Sequence, residues 1–147
     1  GEFDYIRLRN EGYLEAMREL MPEKTPFFIE NTGCDRHNLR KLLKNRKKRP
    51  DGIFCIADGH AFQLYQLAYE LGIKIPEELS VVGIDNIAQS KTCIPKLTTI
   101  NQDGRTYGKH VFEILLKAIR GGEADKYVIP MELVERDSCA PPRAEGV

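Results

Sequence analysis

Apolar positions along the chain follow two periods that take turns. Residues 6–20 carry them at helical spacing, with Ile6, Tyr13, Met17 and Leu20 flanked by Leu14 and Ala16, and Pro22 stops the predicted helix. Phe27, Phe28 and Ile29 read as a short strand, broken by Asn31, Thr32 and Gly33. A second helix opens at Leu39, Leu42 and Leu43 and turns almost wholly basic toward Arg49, before the turn signal Pro50-Asp51-Gly52. Residues 53–57 form a buried strand ending at Asp58. Ala61, Leu64, Tyr65, Ala68 and Leu71 trace one face of the helix that follows, with Asp58 as its expected N-cap and Gly72 as its stop. Residues 80–84 are a β-branched run interrupted only by Gly83, as in a strand covered on both faces. A further strand covers 97–100. Tyr107, Val111, Ile114, Leu115 and Ala118 mark a helix with Asp103 as its cap and Gly121-Gly122 at its end. Residues 127–134 close as a strand that Pro130 assigns to an edge or bend, and 140–147, with Pro141-Pro142, are expected to form a loose tail.

This alternation predicts an α/β fold with a parallel sheet flanked by helices. In such a sheet the strands all end on one side, so Asn31, Asp58 and Asp85 converge on a common rim. Two carboxylates and a carboxamide suit a polyhydroxylated ligand, because one carboxylate accepts from two neighbouring hydroxyls at once. Each residue also has a plainer role open to it. Asp58 serves as a helix cap and Asn31 as the head of an Asx turn, whereas no helix begins directly after Asp85.

Composition narrows the function further. The 147 residues hold one ordinary core, and 22 basic against 22 acidic residues leave no overall field to recruit nucleic acid or a membrane surface. No apolar run reaches the length of a membrane span, and the first residues lack the basic-then-apolar pattern of an export signal, which predicts a cytoplasmic protein. Cys34, Cys55, Cys93 and Cys139 are scattered without metal-ligand spacing, so free thiols are expected. Seven of the ten residues 40–49 are Lys or Arg, yet no aromatic interleaves them, which fits a solvated helix end better than a nucleic-acid patch. Asp58 and Asp85 as a magnesium or acid–base pair would make an enzyme. No phosphate-binding glycine loop or nucleophile elbow accompanies them, and His37, His60 and His110 fall on or near helices without ligand spacing. Neither a metal nor a cofactor is therefore expected.

Several segments together carry a family likeness: RPDGIFCIAD at 49–58, LGIKIPEELSVVGIDN at 71–86, PKLTTINQD at 95–103, Gly108, and LVERDS at 133–138. Their order and spacing resemble the effector-binding domain of LacI/GalR transcriptional regulators over nearly the whole chain. The resemblance implies two α/β subdomains of periplasmic-binding-protein type with a sugar-like effector in the cleft between them. It makes Arg9 and Asp85 effector contacts, places Gln102 near the cleft, and puts Tyr5 where a ring or hydroxyl faces the ligand. Ala57 stands where the family often carries a ligand-contacting Asn. On this reading residues 1–139 are part of the effector domain, mostly the C-terminal subdomain, with 101–122 as a crossover helix of the other subdomain whose apolar face lacks its partner here. The DNA-binding helix-turn-helix lies outside these residues, so the chain alone is expected to bind effector weakly and operator not at all, and the complete regulator to be a homodimer. A transport or signalling sugar-binding protein on the same fold is the alternative.

Overall fold

The computed structural model describes residues 4–29, 36–123 and 127–141. They fall into two compact units, 1–49 and 50–147, each taken by itself below.

The first unit contains α1 (Asp4–Leu20) and α2 (Arg36–Lys44). An exposed Arg7–Glu11 pair at 2.7 Å, one turn apart, supports the solvent face of α1. Residues 27–29 are not a strand. A strand exists only beside another, and none accompanies them among the described residues of this unit. The Phe28 ring instead meets Tyr13 edge-on at 5.2 Å, and the Phe27 N–H donates to the Tyr13 hydroxyl at 3.4 Å. The basic run also departs from its predicted form, because α2 ends at Lys44. Asn45 Oδ1 takes the Lys47 N–H at 3.2 Å, and the Asn45 carbonyl takes those of Lys48 and Arg49, so a turn replaces the next helical turn. Crowded like charges one turn apart would also disfavour continuing the helix.

The second unit is a four-stranded sheet in sequential order, β1 (Gly52–Phe54), β2 (Ser80–Ile84), β3 (Thr98–Asn101) and β4 (Glu132–Val134). β1, β2 and β3 are parallel, while β4 runs antiparallel along β3, pairing Thr99 with Val134. The final strand is shorter than the 127–134 expected, because only residues beyond Pro130 pair with β3. α3 (Asp58–Leu71) connects β1 to β2 and packs on β2. Ala61, Leu64, Leu67 and Ala68 of α3 meet a core that includes Leu79, Val81, Ile84 and Leu97, all 2 % exposed or less. Each such Leu contributes roughly 1.5–3 kcal/mol by leaving water. Gly72 ends α3 as predicted, in the left-handed region at φ 66°, with the Ile73 N–H donating to the Ala68 carbonyl.

β2 reaches its parallel neighbour β3 through a 3-10 turn (Ala88–Lys91) rather than a full helix. α4 (Gly104–Ile119) follows β3, capped by Asp103, whose carboxylate accepts from the Thr106 N–H and hydroxyl. Those hydrogen bonds hold the Asp103 carboxyl below the usual carboxylate range. None of the residues of α4 is buried, and Tyr107, Val111, Leu115 and Ile119 form an exposed stripe at four-residue spacing. Beyond β4, residues 136–140 cross the starts of β2 and β3. The Arg136 N–H donates to Thr98 Oγ1 at 2.9 Å, the Ser138 hydroxyl bridges the Val81 carbonyl and the Thr98 N–H, and Ala140 exchanges hydrogen bonds with Ser80.

The described cysteines are free. Burial, then the nearby Asp58 charge, pushes the Cys55 thiol up to about 12, and burial also raises Cys93. Cys34 lies outside the described residues; among the described cysteines, the exposed Cys139 should react first with a maleimide at pH 8, and Cys55 about a hundredfold more slowly or only after unfolding. Peptide mass spectrometry of a labelling time course checks this, and prompt labelling of Cys55 would contradict the packing described.

Candidate functional site

The carboxyl ends of β1, β2 and β3 define one rim of the second unit, as parallel pairing requires. The chain leaves β2 there through two consecutive non-glycine residues with positive φ, Asp85 at 115° and Asn86 at 51°. Such conformations cost on the order of 1–3 kcal/mol each and persist only where surroundings impose them. The surroundings here are specific. The Asp85 N–H donates to the Ile100 carbonyl at 2.9 Å, the Asn86 N–H to Thr99 Oγ1 at 3.3 Å, and the Ile87 N–H to Asp58 Oδ2 at 3.0 Å.

Asp58 is therefore not the N-cap it was expected to be. Ala57 occupies that position without a side-chain cap, and Asp58 is the first residue of the helix. Its carboxylate is fully buried, with Oδ1 accepting from the Thr99 hydroxyl at 2.6 Å and Oδ2 held by Ile87. Two charge-assisted hydrogen bonds and the positive end of α3 compensate its desolvation. With both oxygens engaged inside, Asp58 acts as a strut beneath the rim. Gly83 makes room for it, since a Cβ there would lie 2.2 Å from Asp58 Oδ1.

Asp85 is exposed, and its Oδ1 accepts from Gln102 Nε2 at 3.0 Å. The structure thus brings together two of the residues named from the sequence, at the ends of adjacent parallel strands, while Asp58 lies two residues along, under Ile87. In the first unit Arg9 and Tyr5 also meet, the guanidinium 5.0 Å from the ring centroid. Asn31 lies outside the described residues.

The residues that hold the rim in shape were not singled out by the pattern. Arg136 reaches Asn86 Oδ1 and the Leu97 carbonyl, each at 2.6 Å, and the buried Ser90 hydroxyl at 3.1 Å. Ser90 also donates to the Ile87 carbonyl at 2.7 Å. The usable signal was Asn86 itself, since Asn directly past a strand is among the few non-glycine residues that accept a left-handed conformation. Among the described residues no three His, Cys, Asp or Glu side chains are grouped to hold a metal ion, and no helix is long and apolar enough to cross a membrane.

Comparison with known proteins places this arrangement in context. Residues 1–139 match the family described as periplasmic binding protein-like domain. Proteins named HTH-type transcriptional repressor PurR are 38% identical over 135 residues in Vibrio vulnificus (strain CMCP6) and 43% over 136 in Vibrio cholerae serotype O1 (strain M66-2), in each case over 88% of this chain. The chain spans about 40% of the length of these relatives. A solved periplasmic binding protein/LacI transcriptional regulator from Alkaliphilus metalliredigens QYMF, complexed with D-xylulofuranose, superposes with a TM-score of 0.76 at 27% identity, over 91% of this chain and 52% of that one. These relatives are named as transcriptional repressors, and the reading of Asp58 and Asp85 as a catalytic pair fails on the geometry, because Asp58 is fully buried with both oxygens engaged by Thr99 and Ile87. The chain belongs to the periplasmic binding protein-like domains, in the form that LacI-family transcription regulators use to bind their effectors.

Proposed function

We propose that this chain supplies the Asp85–Gln102 wall of an effector site, where a small sugar-like molecule controls DNA binding by a helix-turn-helix elsewhere in a dimeric, cytoplasmic repressor. The observation that carries the reading is the exposed Asp85 carboxylate on a locked backbone corner, oriented by Gln102. The Asp85 carboxylate and the Gln102 amide, paired at 3.0 Å, are groups suited to neighbouring hydroxyls of a furanose. The sugar bound by the Alkaliphilus metalliredigens protein supports that chemistry. An effector that binds one cleft geometry better than another shifts the equilibrium by that difference, and operator affinity follows.

The same acceptors would also take the N–H edge of a heterocyclic base, so the test spans both chemistries. A thermal-shift panel of pentoses, hexoses, disaccharides and purine bases on the full protein should give one responding class, with stabilisation of about 2.7 kcal/mol at a hundred times Kd. Asp85→Asn should abolish the response while leaving the ligand-free melting temperature nearly unchanged, since Asp85 is exposed. A response confined to bases would replace the sugar reading, and an undiminished response in Asp85→Asn would remove Asp85 from the site.

A further inference from the structure

Asp85 presents its carboxylate from a backbone conformation that it would not adopt unaided, and the next residue shares that difficulty. Asn86 sits at φ 51° with its side-chain oxygen held by a guanidinium contributed from fifty residues downstream. We infer that Arg136 is the positioning residue of the effector site: it holds the Asp85–Asn86 corner in its left-handed form and so aims Asp85 at the ligand. The inference rests on the effector reading of Asp85 given above.

The geometry supports this in three ways. First, the guanidinium joins separate pieces of chain, with Nη2 on Asn86 Oδ1 and Nη1 on both the Leu97 carbonyl and the Ser90 hydroxyl. A planar fork spans such acceptors, whereas an ammonium acts as a single point. Second, its own backbone is anchored, because the Arg136 N–H donates to Thr98 Oγ1 and Ser138 ties the following turn to β2 and β3. Arg136 therefore pulls from a fixed base. Third, the corner's main-chain N–H groups are held by Thr99 on Asn86 and Asp58 on Ile87, whereas the Asn86 side-chain oxygen is held by Arg136 at 2.6 Å and, at a longer 3.4 Å, by the Ser90 hydroxyl that Arg136 itself contacts. Without the Arg136 contact only the longer bonds from Ser90 and to Thr99 hold Asn86, and it relaxes toward negative φ. Such a relaxation turns the Asp85–Asn86 peptide and draws the carboxylate out of register with Gln102.

The test pairs a measurement that needs no ligand with one that does. Amide hydrogen exchange of the full protein should show Asn86 and Ile87 exchanging about tenfold faster or more in Arg136→Gln, the loss of a charge-assisted hydrogen bond, with Val81 to Ile84 unchanged. Arg136→Lys should fall between wild type and Arg136→Gln, because it keeps the charge but not the fork. Calorimetric titration with D-xylulose should weaken about tenfold in Arg136→Gln. Asp85→Asn should lose D-xylulose binding without faster exchange at Asn86, separating direct contact from positioning. Unchanged exchange at Asn86 and Ile87, or equal acceleration throughout β2, overturns the assignment, as does faster corner exchange with unaltered affinity. Should the wild-type protein take up no D-xylulose, the effector reading fails for that sugar, and the exchange measurement alone decides whether Arg136 sets the corner.

Discussion

Gly83→Ala is expected to cost the full protein about 3–5 kcal/mol, a large share of the stability of an ordinary domain. The new methyl would sit 2.2 Å from Asp58 Oδ1, 3.3 Å from its Cγ and 3.0 Å from Leu97 Cδ2. Neither neighbour has room to yield. Leu97 and Asp58 are both fully buried, and Asp58 is held by Thr99 on one oxygen and Ile87 on the other. Relief requires breaking one of those bonds or moving β2 away from α3. Gly52→Ala supplies the control in the neighbouring strand, where the added carbon would make only ordinary contacts with Ser80 at 3.7 Å. Urea denaturation should therefore show a large fall in midpoint for the first substitution and a change within about 1 kcal/mol for the second. Equal midpoints for the two would mean that β2 and α3 are not packed as described.

Asp58→Ala should be nearly as damaging, by about 2–5 kcal/mol. It strands the Ile87 N–H and the Thr99 hydroxyl without their acceptor, leaves a void, and takes a negative charge from the first turn of α3. Asp58→Asn keeps the volume and one acceptor, so its cost should be smaller. The sharper check is the double substitution. Once Asp58 is Ala, the methyl of Gly83→Ala has lost its worst clash, so the combined loss should fall short of the sum by about 1–3 kcal/mol. Strict additivity would show that Gly83 is not there to accommodate the carboxylate.

How far the pattern could be read depended on where the deciding atoms came from. α1, α3 and α4 were legible to within a few residues because each carries its own periodicity and stop signal, and β2 because an apolar β-branched run has few other uses. Parallel strands ending together put Asp85 beside Gln102, whereas the pattern had grouped Asp85 with Asn31 and Asp58, and Gln102 entered only through the family likeness. Residues 27–29 failed as a strand because strand formation depends on a neighbour, which no local run can report. α2 stopped early because Asn45 turns the chain, its side-chain oxygen taking the Lys47 N–H and its carbonyl those of Lys48 and Arg49. Asp58 was misjudged for a related reason: its partner Thr99 is 41 residues away, and the space it occupies exists because position 83 lacks a side chain. Arg136 was visible only as part of a family signature, since its three acceptors come from the corner, the 3-10 turn and the residue before β3.

The strap of residues 136–140 also bears on how the domain is made. Translation delivers β2 and its awkward corner fifty residues or more ahead of the arginine that grips it and the serine that closes the starts of β2 and β3. Until that late stretch leaves the ribosome, the nascent sheet has its strands but not the clasp that holds the corner after β2. A corner built in this order takes its final shape only after residues 136–138 have been added.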